Sequence, residues 1–248
     1  MLPLAIERAI GRTGADVDLR LFYPTTGIIC QTDVKASRFA RGEAWKLVSE
    51  FRPDVVLVDH FWLPIQNEMV VEGWPKDVPV WLLVRVAPYN WLDGSSVRKF
   101  NRKAFSRIIS IEPPNQFGLN ESIEPVVVCN RDELLPKSSH GLTAPFSIVV
   151  HRGMPGEQAW LRRNCCTYST KLILGEMPAA PHFLSGDELV GGMGYGFTWE
   201  TRWLGVSSKT KQFRFERGNE PFEVREQTRC HKMRANGADM LVERLLAG

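Results

Sequence analysis

Asp187-Glu-Leu-Val-Gly-Gly-Met-Gly-Tyr-Gly-Phe-Thr-Trp-Glu-Thr-Arg-Trp-Leu-Gly205 is the stretch from which the fold is read. Leu189 and Val190 form a short apolar run without polar alternation, the pattern of a strand buried on both faces. Gly191, Gly192 and Gly194 then break the run, and residues 197–204 show the three-to-four apolar spacing of a helix. Strand, glycine turn and helix make one βα step. Working outward, similar β-branched runs lie at 17–22, 55–58, 80–86, 108–111, 126–129, 146–150 and 172–174. Between them, 3–10, 37–51, 96–105, 157–163 and 221–234 have helical spacing. This alternation predicts a doubly wound α/β fold, with parallel sheets and helices on both faces.

Residues 131–143 interrupt the rhythm with Pro136, Ser138, Ser139 and Gly141, and read as a linker. The expected organisation is two Rossmann-like halves, 1–143 and 144–248, with ligands at the carboxyl ends of the strands. Residues 3–10 read as the first helix of the amino-terminal half. The strand and glycine turn that ordinarily precede such a helix have no counterpart before Met1. The expectation is a half without its opening strand, either less stable because neighbouring strands would keep unpaired backbone groups, or with the gap filled by another segment or a partner.

Composition narrows the function. With 248 residues, 44% hydrophobic and 24% charged, the chain can bury a core, which excludes disorder and collagen-like repeats. Lys and Arg number 31 against 28 acidic residues, too slight an excess for a dedicated polyanion binder. No apolar run nears the ~20 residues that span a bilayer, and the first residues do not form a signal peptide. The expectation is a cytoplasmic protein, at most peripheral to a membrane. The five cysteines lack C-x-x-C spacing, so Cys165-Cys166 reads as a small semi-buried pair in a reducing compartment, and no metal is expected.

The glycine turn is the leading candidate site. Glycines admit a ligand close to the backbone, and the helix that follows offers free N–H groups and a positive dipole end to a phosphate. Thr198 adds a hydroxyl, and Glu200 is placed to accept from a ribose diol. The competing reading is a tight turn whose glycines serve packing alone. Elsewhere, Asp59-His60 at a strand end reads either as a general-base pair or as an ordinary strand terminus. Arg85, inside an apolar run, pairs with a carboxylate such as Asp59 or reaches the cleft. His151-Arg152 after a strand suits a phosphate contact. Basic residues from Lys209 to Arg234, Arg225 among them, read as a solvated face or as a contact to phosphates.

The order Gly194-Tyr195, Glu200, Leu204-Gly205, then Glu226-Gln227 and Asn236-Gly237-Ala238-Asp239, resembles the donor motif of GT-B glycosyltransferases. The pattern resembles the MurG-like group in particular, with residues 145–245 similar to its carboxyl-terminal domain and 1–143 only loosely similar to its amino-terminal one. Arg52-Pro53-Asp54-Val-Val-Leu-Val-Asp59 resembles the family's acceptor-side strand. The resemblance implies a nucleotide diphosphate sugar as donor, UDP-linked, with no bound metal or other cofactor. It implies diphosphate contacts from Gly194, Tyr195 and Thr198, with Arg152 and Gly153 completing the phosphate side, a donor contact from Gly192, a ribose contact from Glu200 and a sugar contact from Gln227. Catalysis falls to Asp59 and His60. The acceptor stays open among lipid carriers, small molecules, proteins and modified nucleic acid. Ser207 stands where relatives carry Pro, and the family's amino-terminal His has no counterpart here, which implies low activity. A degenerate nucleotide-sugar-binding protein and a nucleotide-sugar epimerase are the alternatives.

Overall fold

The structure is a computed structural model that describes residues 2–24, 35–39, 44–59, 76–86, 102–115, 118–134, 146–151, 154–174, 179–215 and 222–248. In chain order the elements are α1 (Leu2–Thr13), β1 (Arg20–Pro24), β2 (Lys35–Phe39), α2 (Ala44–Phe51), β3 (Val56–Asp59), β4 (Val80–Val84), β5 (Arg107–Ser110) and β6 (Glu121–Ser122). They continue with β7 (Ser147–His151), α3 (Pro155–Cys165), β8 (Thr170–Leu174), β9 (Glu188–Gly192), α4 (Tyr195–Trp203), β10 (Thr210–Phe213), α5 (Phe222–Gln227) and α6 (Gly237–Ala247). Two compact units result. One holds Met1–Thr13, Pro125–Gly218 and Cys230–Gly248; the other holds Gly14–Glu124 and Asn219–Arg229. The expected boundary at 143/144 falls outside the described residues. α1, read in the sequence as the opening helix of the amino-terminal half, belongs by its contacts to the first unit.

In the first unit a parallel sheet has the order β10-β9-β7-β8. Successive residues of β7 explain its two-sided cover. Ile148 packs with Ile173, Phe183, Leu189 and Val206 on one face, whereas Val149 packs with Val190 and with Leu161 of α3 on the other. No polar residue could alternate in such a strand without burying an unpaired group. The chain steps from β7 through α3 to β8, then crosses β7 to reach β9, so the winding reverses between β7 and β9. The carboxyl ends of these two strands therefore form the topological switch point where open α/β sheets bind ligands. Cys165 and Cys166 pack, half-buried, against the Val149 cluster, as their reading required.

α6 and α1 pack together. Asn236 caps α6 by accepting from the Ala238 N–H at 2.9 Å. Arg12 of α1 binds Asp239 in its first turn at 2.9 Å, and also binds Glu133.

In the second unit β3-β4-β5-β6 form a parallel sheet, and all five residues of β4 are buried. Val58, Val80, Leu82, Val84 and Leu119 make its core. β1 and β2 pair in parallel as a separate ribbon. Phe22 of β1 and Phe51 of α2 lie 6.3 Å apart.

Parallel strands and helices thus appear as expected, with local corrections. Residues 37–51 are not one helix: 35–39 are strand, and α2 starts at Ala44. Residues 96–101 lie outside the described residues, and 102–104 form a single 3-10 turn. The helix expected over 221–234 stops at Gln227, where Thr228 Oγ1 turns back to the Arg225 carbonyl at 2.8 Å. Residues 126–129 are buried as expected but form no strand. Side chains of α4 and Asn236, not a neighbouring ladder, take up much of their backbone polarity.

Candidate functional site

β9 delivers the glycine turn to the switch point. A Cβ at Gly191 would lie 2.7 Å from the Val150 carbonyl oxygen and 2.9 Å from the Phe197 ring. A Cβ at Gly192 would lie 2.7 Å from His151 Cε1. These two glycines are required by packing. Gly194 differs, because a Cβ there meets nothing within 4 Å. It is the extended N-cap residue of α4, and its carbonyl accepts the Thr198 N–H at 3.0 Å. As a glycine it offers no capping side chain, so the first-turn N–H groups of α4 have no side-chain cap. The two readings of the glycines divide by residue: 191 and 192 for packing, 194 for an open helix start.

Gly205 closes the same helix. Its φ of 73° puts it in the left-handed region that glycine adopts without cost. The Gly205 N–H bonds the Arg202 carbonyl at 3.0 Å and the Val206 N–H bonds that of Thr201 at 2.9 Å. This is a Schellman ending.

His151 ends β7 beside the turn, with 7% of its side chain exposed. Its Nε2 lies 2.7 Å from Glu157 Oε2, and the same oxygen accepts the Met154 N–H at 3.0 Å. Glu157 thus ties the strand end to the start of α3. The His151 ring lies 5.1 Å from that of Phe215 at a tilt of 49°, and Phe215 with Phe213 meets Trp160. Sequence reasoning passed over Glu157. Its signal was an acidic residue two positions after Pro155 at the start of a helix. Arg152 and Gly153 lie outside the described residues.

Tyr195, Thr198 and Glu200 are all turned inward. The Tyr195 hydroxyl accepts from the Val126 N–H at 2.7 Å. Thr198 is 1% exposed, with Gln212 Nε2 3.5 Å from its hydroxyl. Glu200 is 4% exposed and accepts from the Val128 N–H, yet its Oε1 has no hydrogen-bond partner. Burial pushes its carboxyl up to about 7, against the opposing pull of Val128 and the Arg8 guanidinium. Burial also pushes the neighbouring Cys129 thiol up to about 12, with Arg8 opposing it and Glu200 adding to it.

The second unit has its own array of charges at the carboxyl ends of β3, β4 and β5. Asp59 receives Arg85 Nη2 at 2.6 and 2.7 Å, the pairing expected for a cation in an apolar run. His60 lies outside the described residues. Glu112 is wholly buried, takes Arg225 Nε at 2.7 Å and also accepts the Val86 N–H at 3.0 Å. Arg225 was read as part of a solvated basic face; it is 4% exposed and bound to this carboxylate. A partner 113 residues away in the chain left no sequence signal. Gln227 is exposed at the end of α5 and belongs to this unit, whereas the glycine turn belongs to the other.

Among the described residues, no group of three His, Cys, Asp or Glu residues could hold a metal ion. None of the described helices is long and apolar enough to cross a membrane. Compared with protein-family models and with curated proteins, the chain matches none.

Proposed function

We propose that this chain binds a nucleotide diphosphate sugar and transfers the sugar to an acceptor hydroxyl or amine. The observation that carries the reading is the open N-terminus of α4 at Gly194, set at the switch point of a parallel sheet. The Gly194–Glu200–Gly205 spacing, which resembles that of GT-B donor sites, makes UDP the first nucleotide to try. The donor's diphosphate lies against the first turn of α4. His151, held by Glu157, supports the turn from behind through Gly192. When the acceptor attacks the anomeric carbon, the bond to the β-phosphate oxygen breaks and the nucleotide diphosphate leaves. The helix N-terminus stabilises the charge that develops on it, a task that backbone donors perform well because they are fixed beforehand. The acceptor's proton passes to a general base.

One observation favours donor binding without turnover as a second reading: Glu200 is engaged by Val128 of its own chain. Calorimetric titration of the full chain with UDP and other nucleoside diphosphates tests binding, and release of UDP from UDP-sugars tests turnover. Saturable binding with release of UDP supports transfer. Binding without release supports the second reading, and no binding by any nucleotide removes both.

A further inference from the structure

Residues 125–130 cross α4 and the start of α6 as an irregular segment, and all of these contacts lie within the first unit. Val126 donates its N–H to Tyr195 Oη at 2.7 Å, and Val127 donates to Asn236 Oδ1 at 3.2 Å. Asn236 Nδ2 returns to the Val127 carbonyl at 3.1 Å and to Asn130 Oδ1 at 2.8 Å. Val128 donates to Glu200, and Trp203 Nε1 donates to the Cys129 carbonyl at 3.1 Å. Val126, Val127, Val128 and Cys129 are each 3% exposed or less. The segment has the apolar content of a strand but is held by side chains, so releasing it breaks no sheet.

Three of its holders, Tyr195, Glu200 and Trp203, line one stretch of α4. Two of these are the residues whose types suit a nucleotide. Glu200 is the telling one. A single backbone donor satisfies one carboxylate oxygen and leaves Oε1 orphaned in a buried place. A vicinal diol offers two donors and can engage both oxygens.

We propose that residues 126–130 are a strap that occupies the ribose position in the unliganded chain, and that the donor's ribose diol displaces Val128 from Glu200 and loosens the strap. The inference rests on the nucleotide reading above and assigns that site its regulation. Nucleotide binding and strap release are then linked: whatever stabilises the closed strap weakens binding by the same factor. Burial of three valines keeps the strap closed when no ligand is present.

Hydrogen–deuterium exchange on the full chain, with UDP as probe and calorimetry to establish its binding, tests the strap. Bound UDP is expected to speed exchange at 126–129 by about tenfold or more, the opposite of the protection a ligand usually confers. Trp203→Phe removes the bond to the Cys129 carbonyl while keeping an aromatic ring for the Arg131 guanidinium, and is expected to tighten UDP by about fivefold, the binding equivalent of one net hydrogen bond. Bound UDP with unchanged or slower exchange at 126–129 overturns the strap and leaves the nucleotide reading standing. Trp203→Phe binding UDP no tighter than the wild type also counts against the strap. Absence of UDP binding by the wild type overturns both.

Discussion

Glu200→Gln should make the chain more stable in alkaline solution, although Glu200 is a charged residue in a folded core. The carboxyl is 4% exposed, its Oε1 has no partner, and burial raises it from 4.5 to about 7. An acid whose folded pKa exceeds its unfolded value holds its proton longer in the native state. Between pH 4.5 and 7 the native state therefore binds more protons, and stability falls as pH rises, levelling off above pH 7. At about 1.4 kcal/mol per tenfold change in proton affinity, the loss is about 3 kcal/mol. The amide of Gln keeps an acceptor for the Val128 N–H and cannot ionise. Urea unfolding of both proteins at about pH 5 and about pH 8.5 reads the difference, because every other titrating group is shared. The variant should match the wild type at the lower pH and exceed it by about 3 kcal/mol at the higher. Parallel pH dependence of the two proteins would refute the reasoning, since it would mean that Glu200 ionises freely and is not sealed beneath residues 126–130.

Gly192→Ala should destabilise the first unit by about 1–3 kcal/mol, because its Cβ meets a His151 ring fixed by Glu157; thermal unfolding reads the change, and an unchanged midpoint would deny that packing. Arg225→Ala should cost about 3–5 kcal/mol by leaving the buried Glu112 carboxyl without its guanidinium, with the Val86 N–H as a remaining donor; chemical denaturation measures it. Cys129, raised to about 12, should resist iodoacetamide in the native protein at about pH 8, whereas exposed Cys230 is modified; peptide mass spectrometry reports both.

The strands that could be read in the sequence are those buried on both faces. Val80–Val84 and Ser147–His151 announce themselves because a covered parallel strand has no place for polar alternation. β10, with Thr-Lys-Gln-Phe, hid because it is an edge strand with an exposed Lys211, and β2 hid behind Lys35, Ser37 and Arg38. Residues 126–129 misled in the other direction. Their apolar run matches a strand, but the partners of their backbone lie 69 and 109 residues away, at Tyr195 and Asn236. The candidate site shows the same division. A glycine cluster and the Asp59–Arg85 pairing are visible in local pattern and charge. Which glycine is open, and that Glu200 faces Val128, depends on what the rest of the chain packs against them. Glu157 had a local signal at the helix start, whereas the Glu112–Arg225 pair needed the folded chain to be found.

Calorimetric titration of UDP into the wild type and Gly194→Ala tests the central claim most directly. The added methyl meets no atom within 4 Å, and φ at this position is −85°, so the variant should fold with a stability change of at most about 1 kcal/mol. The methyl would stand where a diphosphate approaches the helix start. The account predicts one UDP bound per wild-type chain and at least about tenfold weaker binding by the equally folded variant, some 1.4 kcal/mol. Equal affinity in the two proteins, or no binding of any nucleoside diphosphate to the wild type, would contradict it.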